Sequence, residues 1–268
     1  SIGSQLLRQL LNTNAKKIIG YDNSEIDLFN LKNELDDFKR IKIYLGDILD
    51  TKLLDYLIKK EKIDLIFHAA AYKHVGILQE NINSAIRNNI FGTQSVLLSA
   101  KKNNIPIVTI STDKAVRPTS ILGLTKRISE IICLKHNNRN FSSKVVRFGN
   151  VFGSVGSAVP TFINQINNRM PITITHKNVK RFFMTLNDAC FLLLWSVKIK
   201  NVNNVLVLNM GKPIKILDIV NSLIKIKQKI DPHYSFIIKT IGLQKGEKMN
   251  EELTIIKNTK KTKNIDIS

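Results

Sequence analysis

Four consecutive residues, Ser111-Thr112-Asp113-Lys114, place two hydroxyls, a carboxylate and an amine directly after the apolar run IPIVTI. An acid beside an amine at one edge is what general acid–base chemistry requires, although the same residue types also cap and turn many strands. Twelve residues after Lys114 comes Lys126, inside the helical run LGLTKRISEIICL. Further upstream, Gly3 opens an apolar helical pattern (Leu6, Leu7, Leu10, Leu11), and nineteen residues later Asp22 follows the run KKIIGY. That is where an acidic side chain reaches the adenosine ribose of a dinucleotide. Gly46-Asp47-Ile48 follows a second apolar run and reads either as an adenine-side contact or as an ordinary Gly-Asp turn. The stretch DLIFHAAAYKHV (64–75) ends a third run in small residues, Ala69 and Ala70 among them, which lets a flat cofactor approach the backbone. His68 and His74 have no third metal ligand near in sequence, so His68 reads as structural and no metal is expected. Lys73 puts a cation where open α/β sheets bind ligands.

These residues need strands and helices to position them. Strands are predicted at 16–21, 41–45, 64–69, 107–111 and 144–148, with helices at 28–35, 51–60, 84–102 and 122–136. This alternation is the signature of a parallel sheet covered by helices. The expected fold is therefore α/β, a Rossmann-like doubly wound parallel sheet. The pattern implies that a first strand and the first two glycines of its phosphate turn precede Ser1, so a version extended by that strand should bind NAD(P) more tightly. After Asn150 the elements shorten: PITIT, a helix at 187–198, VLVLN, a helix at 216–227 and FIIKT. This predicts a dinucleotide-binding domain over 1–150 and a smaller, mixed, mainly substrate-binding lobe over 151–268, interleaved with the first. The polar end, 257–268, is expected to fray.

The 268 residues suffice for one large domain with a lobe, and 43% hydrophobic with 23% charged residues is a globular composition. Cys133 and Cys190 show no CxxC spacing, which gives no support to a disulfide framework or a cysteine zinc site. The densest apolar stretch, CFLLLWSV (190–197), is far short of the roughly 20 residues that span a bilayer. With no signal-like start, the expected location is cytoplasmic, or at the inner face of a membrane. Forty-one Lys and Arg against 21 Asp and Glu give 41 − 21 = +20. The lysines are scattered without interleaved aromatics, so no nucleic-acid partner is expected.

The segments FHAAAYKHV (67–75), NNIFGT (88–93), STDKAVRPTSILGLTKR (111–127), VVRFGNVFGSVGSAVP (145–160), KRFFMT (180–185) and GEKMNEEL (246–253) carry a resemblance. In type and order they resemble the nucleotide-sugar 4,6-dehydratases of the extended short-chain dehydrogenase/reductase superfamily. The similarity is greatest to the polysaccharide-biosynthesis branch acting on UDP-N-acetylglucosamine, and it covers essentially the whole chain.

The resemblance implies NAD or NADP as cofactor, a UDP-sugar substrate and a homo-oligomer. It implies oxidation at sugar C4, loss of the C5 proton and of the C6 hydroxyl as water, and return of the hydride to C6. By analogy Asp113 is the acid for the C6 hydroxyl and Lys114 the base near C5. Thr112 bonds the C4 oxygen, and Lys126 holds the nicotinamide ribose. Gly3, Asp22, Asp47, Ile48, Ala69 and Ala70 complete the cofactor contacts. Lys73, Asn150, Ser157, Thr173, Arg181 and Glu247 complete those to substrate. Two positions depart from the pattern: Leu122 stands where the superfamily usually has Tyr, and Gln244 where it has Arg. With Leu122 unable to take a proton, the C4 hydroxyl proton is expected to go to Thr112 and water or to Lys114. The rival readings are a UDP-sugar C4 epimerase and an inactive dinucleotide-binding module. Asp113→Asn should lower the rate of water loss by about 10² to 10⁴ with substrate binding nearly intact; turnover within about threefold of wild type would remove Asp113 from the chemistry.

Overall fold

The alternation of apolar runs with amphipathic stretches becomes a regular βα succession in the computed structural model, which describes all residues except 36–38, 155, 201–202, 256–261, 263–265 and 268. The first half runs α1 (Ile2–Leu11), β1 (Ile18–Asp22), α2 (Glu25–Glu34), β2 (Ile41–Leu45), α3 (Thr51–Glu61), β3 (Ile66–His68), α4 (Val75–Glu80) and α5 (Ile82–Ala85). A π-helical turn over Ile86–Phe91 leads into α6 (Gly92–Lys102), then β4 (Ile107–Thr112), α7 (Ile121–His136) and β5 (Ser143–Phe148). The second half continues with β6 (Asn150–Val151), α8 (Ala158–Asn167), β7 (Ile172–Ile174), β8 (Lys180–Arg181), β9 (Phe183–Met184) and α9 (Leu186–Ser196). It closes with β10 (Leu206–Val207), β11 (Ile214–Lys215), α10 (Ile216–Ile230) and β12 (Ile238–Thr240).

The strands of the first half lie in two parallel sheets: β1 with β2, and a four-stranded sheet in the order β10-β5-β4-β3. Helix α1 joins their cores, with Leu6 packed beside Val108 and Ile110 and Leu7 beside Ile18 and Leu31. Strand β4 is buried from Ile107 to Ser111, which explains its unbroken apolar run. Its alternating side chains serve opposite faces: Ile107 packs with Cys133 and Val145, while Val108 and Ile110 pack with Cys190 and Leu193. Helices α7 and α9 thus clamp the sheet from its two sides. Strand β10, although from the second half, belongs to this sheet. Helices α8 and α10 and strand β7 enclose a separate core of Phe162, Ile172, Ile174, Val220 and Ile224.

The expected fraying over 257–268 is corrected in part. Ile267 is buried in the first core and bridges Leu208, because this apolar residue fits the space beside β10. Residues 257–261, 263–265 and 268 lie outside the described residues.

Lysine 144 illustrates how the clamp is fastened. Its Nζ donates to the terminal α9 carbonyls of Ser196 (3.1 Å) and Val197 (2.6 Å), and burial lowers its pKa. Lys144→Met should remove both bonds and destabilise the fold by about 1–3 kcal/mol, read as a lower thermal midpoint. An unchanged midpoint would show that α9 is held without this cap.

Candidate active site

At the carboxyl end of β4 the chain bends through a 3-10 turn, Asp113–Ala115. Thr112 Oγ1 donates to Asp113 Oδ1 (2.9 Å) and accepts from the Lys114 amide (3.4 Å). Lys114 Nζ donates to Asp113 Oδ1 (3.0 Å) and to Asn150 Oδ1 (3.1 Å) at the start of β6. Asp113 is fully buried, and its Oδ2 has no hydrogen-bond partner. A buried carboxylate needs a cation close by, and Lys114 supplies it. Four of the predicted residues, Thr112, Asp113, Lys114 and Asn150, thus form one bonded unit.

Helix α7 is seated on this turn. Ser120 caps its start by accepting from the Gly123 amide (3.1 Å). Gly123 itself admits the turn: a Cβ there would lie 2.2 Å from the Lys114 carbonyl oxygen. One turn further, Lys126 is buried, and loss of water pulls its pKa down to about 8 against the opposing pull of Cys133 and Glu130. His68 is held down to about 3 by its burial and by the Lys126 charge. Its partner is Thr93 Oγ1, 3.0 Å from Nε2; that hydroxyl donates to Asn89 O (2.6 Å), so the neutral His68 ring is the donor. His68 is therefore a satisfied structural histidine. Among the described residues no group of three or more His, Cys, Asp or Glu is arranged around a metal position.

A cavity of about 490 Å³ opens beside the unit, its walls including His74, Lys114, Asn150, Thr173, Arg181 and Glu247. Arg181, itself buried, pairs with Glu247 Oε1 (2.8 Å), which also accepts from Thr175 Oγ1 (3.0 Å). The Gln244 amide donates to Glu247 Oε2 (3.1 Å), so the neutral residue at 244 still shapes the wall. Thr173 Oγ1 accepts from Gln165 Nε2 (2.8 Å). Ser157, between wall residues Gly156 and Ala158, has a buried hydroxyl oxygen without a partner. Gly156 has φ +70°, and a Cβ there would lie 2.6 Å from the His74 ring. Lys73 is exposed and is not among the residues that line the cavity; loss of water lowers its pKa.

The predicted cofactor residues lie apart from this cavity, around the carboxyl ends of β1, β2 and β3. Asp22 ends β1, its carbonyl accepting from the Gly46 amide (2.9 Å) and its Oδ1 from the Ser24 amide (3.0 Å). Asp47 O accepts from Tyr21 Oη (2.7 Å), and buried Ile48 shares a core with Ala70. Ala69 and Ala70 follow β3 directly. Gly3 lies in the first turn of α1, where a Cβ would meet nothing within 4 Å, so the protein's own packing does not demand a glycine there.

Asn89, in the π-helical turn, carries a role that sequence reasoning missed. Fully buried, it accepts from the Tyr72 amide (2.8 Å) and donates to Tyr72 O (3.1 Å) and Thr125 Oγ1 (3.2 Å). It thereby locks the segment after β3 to the helix that carries Lys126. The quoted motif NNIFGT contains it, but only the π turn reveals that its carbonyl is free to take the Thr93 and Ser129 hydroxyls.

A lysine whose folded pKa lies below its unfolded value destabilises the folded state at pH values under about 8, and the penalty vanishes above about 10.5. Lys126→Met should therefore raise the thermal midpoint at pH 7 by several degrees, with the gain fading as pH rises through that window. A lower midpoint at pH 7 would contradict the desolvation reading.

Comparison with known proteins places this geometry. The sequence profile described as "Polysaccharide biosynthesis protein" matches residues 1–267. Capsular polysaccharide biosynthesis protein CapD of Staphylococcus aureus is 39% identical over 260 residues, covering 94% of this chain and 43% of CapD. The chain thus spans less than half of that relative's length. A UDP-glucose 4-epimerase of Rickettsia bellii is 31% identical over 269 residues, covering 94% of this chain and 74% of the epimerase. The solved structure of Pen from Bacillus thuringiensis superposes with a TM-score of 0.88 at 34% identity, covering 94% of this chain and 78% of Pen. The chain belongs to the polysaccharide biosynthesis protein family, within the extended short-chain dehydrogenase/reductase superfamily.

Proposed function

We propose that the protein is an NAD-dependent nucleotide-sugar 4,6-dehydratase that converts a UDP-N-acetylhexosamine, specifically UDP-N-acetylglucosamine, into a 4-keto-6-deoxy sugar nucleotide for surface polysaccharide. The observation that carries this reading is the Asp113–Lys114 pair, 3.0 Å apart, with Lys114 lining the cavity and Asp113 buried behind it. Such a pair shares one mobile proton, and elimination of water moves one proton in and one out. The shared proton first passes from the Lys114 ammonium to Asp113 Oδ1, 3.0 Å away, and the neutral Nζ then takes the C5 proton. Asp113 releases its proton through the Thr112 hydroxyl, 2.9 Å away, to the departing C6 hydroxyl. The C5–H electron pair becomes the new double bond as the C6–O bond breaks, and the pair ends this step as the ion pair it began as. When the hydride reaches C6, Lys114 Nζ returns a proton to C5, and the proton lost from the C4 hydroxyl makes good the pair.

The residues present fit a nicotinamide dinucleotide, with residues 1–150 supplying its site and 151–268 mainly that of the sugar nucleotide. Gly3 leaves room for close approach at the start of a helix. Asp22, exposed at the end of β1, suits the two ribose hydroxyls of NAD and repels the 2′-phosphate of NADP. When bound there, NAD supplies a hydride acceptor at C4 and a hydride donor at C6. Lys126 holds the nicotinamide ribose with an ammonium that burial has made easy to deprotonate. Leu122 is buried against Leu78 and Ala85, so the proton of the C4 hydroxyl is left to Thr112 and Lys114. In the sugar-nucleotide cavity, Arg181 offers positive charge for the diphosphate, and Asn150, Thr173 and Glu247 offer polar contacts, with Ser157 between the wall residues Gly156 and Ala158.

The relative named as a UDP-glucose 4-epimerase favours a second reading, in which the hydride returns to C4. Epimerisation needs no acid at C6, and Asp113 would then have no proton to deliver, leaving Lys114 only the C4 hydroxyl proton. The protein with NAD and UDP-N-acetylglucosamine should yield a product lighter by one water in mass spectrometry. A product of unchanged mass would support the epimerase, and no product with any UDP-sugar would support an inactive dinucleotide-binding module.

A further inference from the structure

One buried carboxylate outside the reacting unit ties the site together. Glu130 lies one helical turn beyond Lys126 and is 1% exposed. Its Oε1 accepts from Ser111 Oγ (2.5 Å) and Arg147 Nε (3.0 Å), and its Oε2 from Arg147 Nη2 (2.6 Å) and Arg127 Nη1 (2.9 Å). Ser111 immediately precedes Thr112-Asp113-Lys114, and Arg147 stands near the end of β5, three residues before Asn150. The third arm of the same guanidinium, Nη1, donates to Leu253 O (3.0 Å). The 246–253 segment carries Glu247 and is pinned twice more to the stretch behind Lys114: Lys248 Nζ donates to Val116 O (2.6 Å) and Thr119 Oγ1 to Gly246 O (2.9 Å).

We propose that Glu130 is a positioning residue for the dehydration: through Ser111 and Arg147 it sets the Asp113–Lys114 unit in register with Lys126 and with the 246–253 wall of the sugar-nucleotide cavity. The inference rests on the function proposed above for its kinetic consequence, and on geometry alone for the coupling. Strand β4 brings the proton-transfer groups, α7 brings Lys126, and the C-terminal wall brings Glu247. Glu130 is joined by hydrogen bonds to β4, to α7 itself and, through Arg147, to the wall. A shift of about 1 Å between such groups is enough to lose two orders of magnitude in rate without loss of binding.

Removing Glu130 alone would strand the Arg147 charge and unfold the site for an unrelated reason, so the pair is removed together. Replacement of a buried ion pair by apolar residues of similar size is often neutral for stability. The Glu130→Met/Arg147→Met protein should keep its thermal midpoint. Amides of 112–114 and 246–253 should exchange hydrogen faster than in the parent, with protection elsewhere unchanged. In the enzyme kcat should fall at least about tenfold, with KM for the nucleotide sugar and NAD affinity within about threefold. Ser111→Ala, which leaves the ion pair intact, should lower kcat in the same direction, and it decides the matter if the double variant fails to fold. Unchanged exchange in both segments, or kcat within about threefold of the parent, would overturn the proposal. If the parent turns over no nucleotide sugar, the functional reading fails instead, and the exchange measurement still decides the coupling.

Discussion

The fully buried carboxylate of Asp113 is the constraint on which the rest of the structure depends. Taken out of water unaccompanied, such a charge would cost several kcal/mol. The fold meets that demand with the Lys114 ammonium and the Thr112 hydroxyl, both supplied by the turn that ends β4. For this to hold, β4 must stop at a fixed point and α7 must come close enough to hold the turn in place. Burial of β4 on both faces supplies the first requirement, and the missing side chain at Gly123 supplies the second. The reacting groups and the folding constraint are therefore one arrangement.

A second buried carboxylate, Glu130, sits behind the first and does different work. Asp113 faces a single lysine, whereas Glu130 is bonded by two arginines and a serine. One pair leaves a proton free to move, and the other leaves none. Lys126 stands one turn before Glu130 on α7, and its burial, which lowers its pKa to about 8, comes from the same packing that shuts water away from Cys133 and His68.

Much of this was legible in the residues. The run IPIVTI announced a strand buried on both faces, and the STDK segment announced the site at its end, because apolar continuity and polar punctuation are local properties. Asn150, Thr173, Arg181 and Glu247 were named from motif resemblance, and they share one cavity wall. The signal faded where pairing is long-range. Strands of two residues such as β6, β8, β9 and β11 carry no periodicity, and they exist through partners far along the chain. Asn89 and Glu130 looked like ordinary helical polar residues, since their partners lie tens of residues away. Lys73 was named with the substrate residues from the same resemblance, and its neighbour His74 lines the cavity.

The central claim is that the Asp113–Lys114 pair carries out a 4,6-elimination and not a return of hydride to C4. Nuclear magnetic resonance of the product made from UDP-N-acetylglucosamine deuterated at C4 tests it most directly. The account predicts that the deuterium is found at C6 of a 4-keto-6-deoxy sugar. Deuterium recovered at C4 of a sugar that has kept its C6 hydroxyl would contradict it.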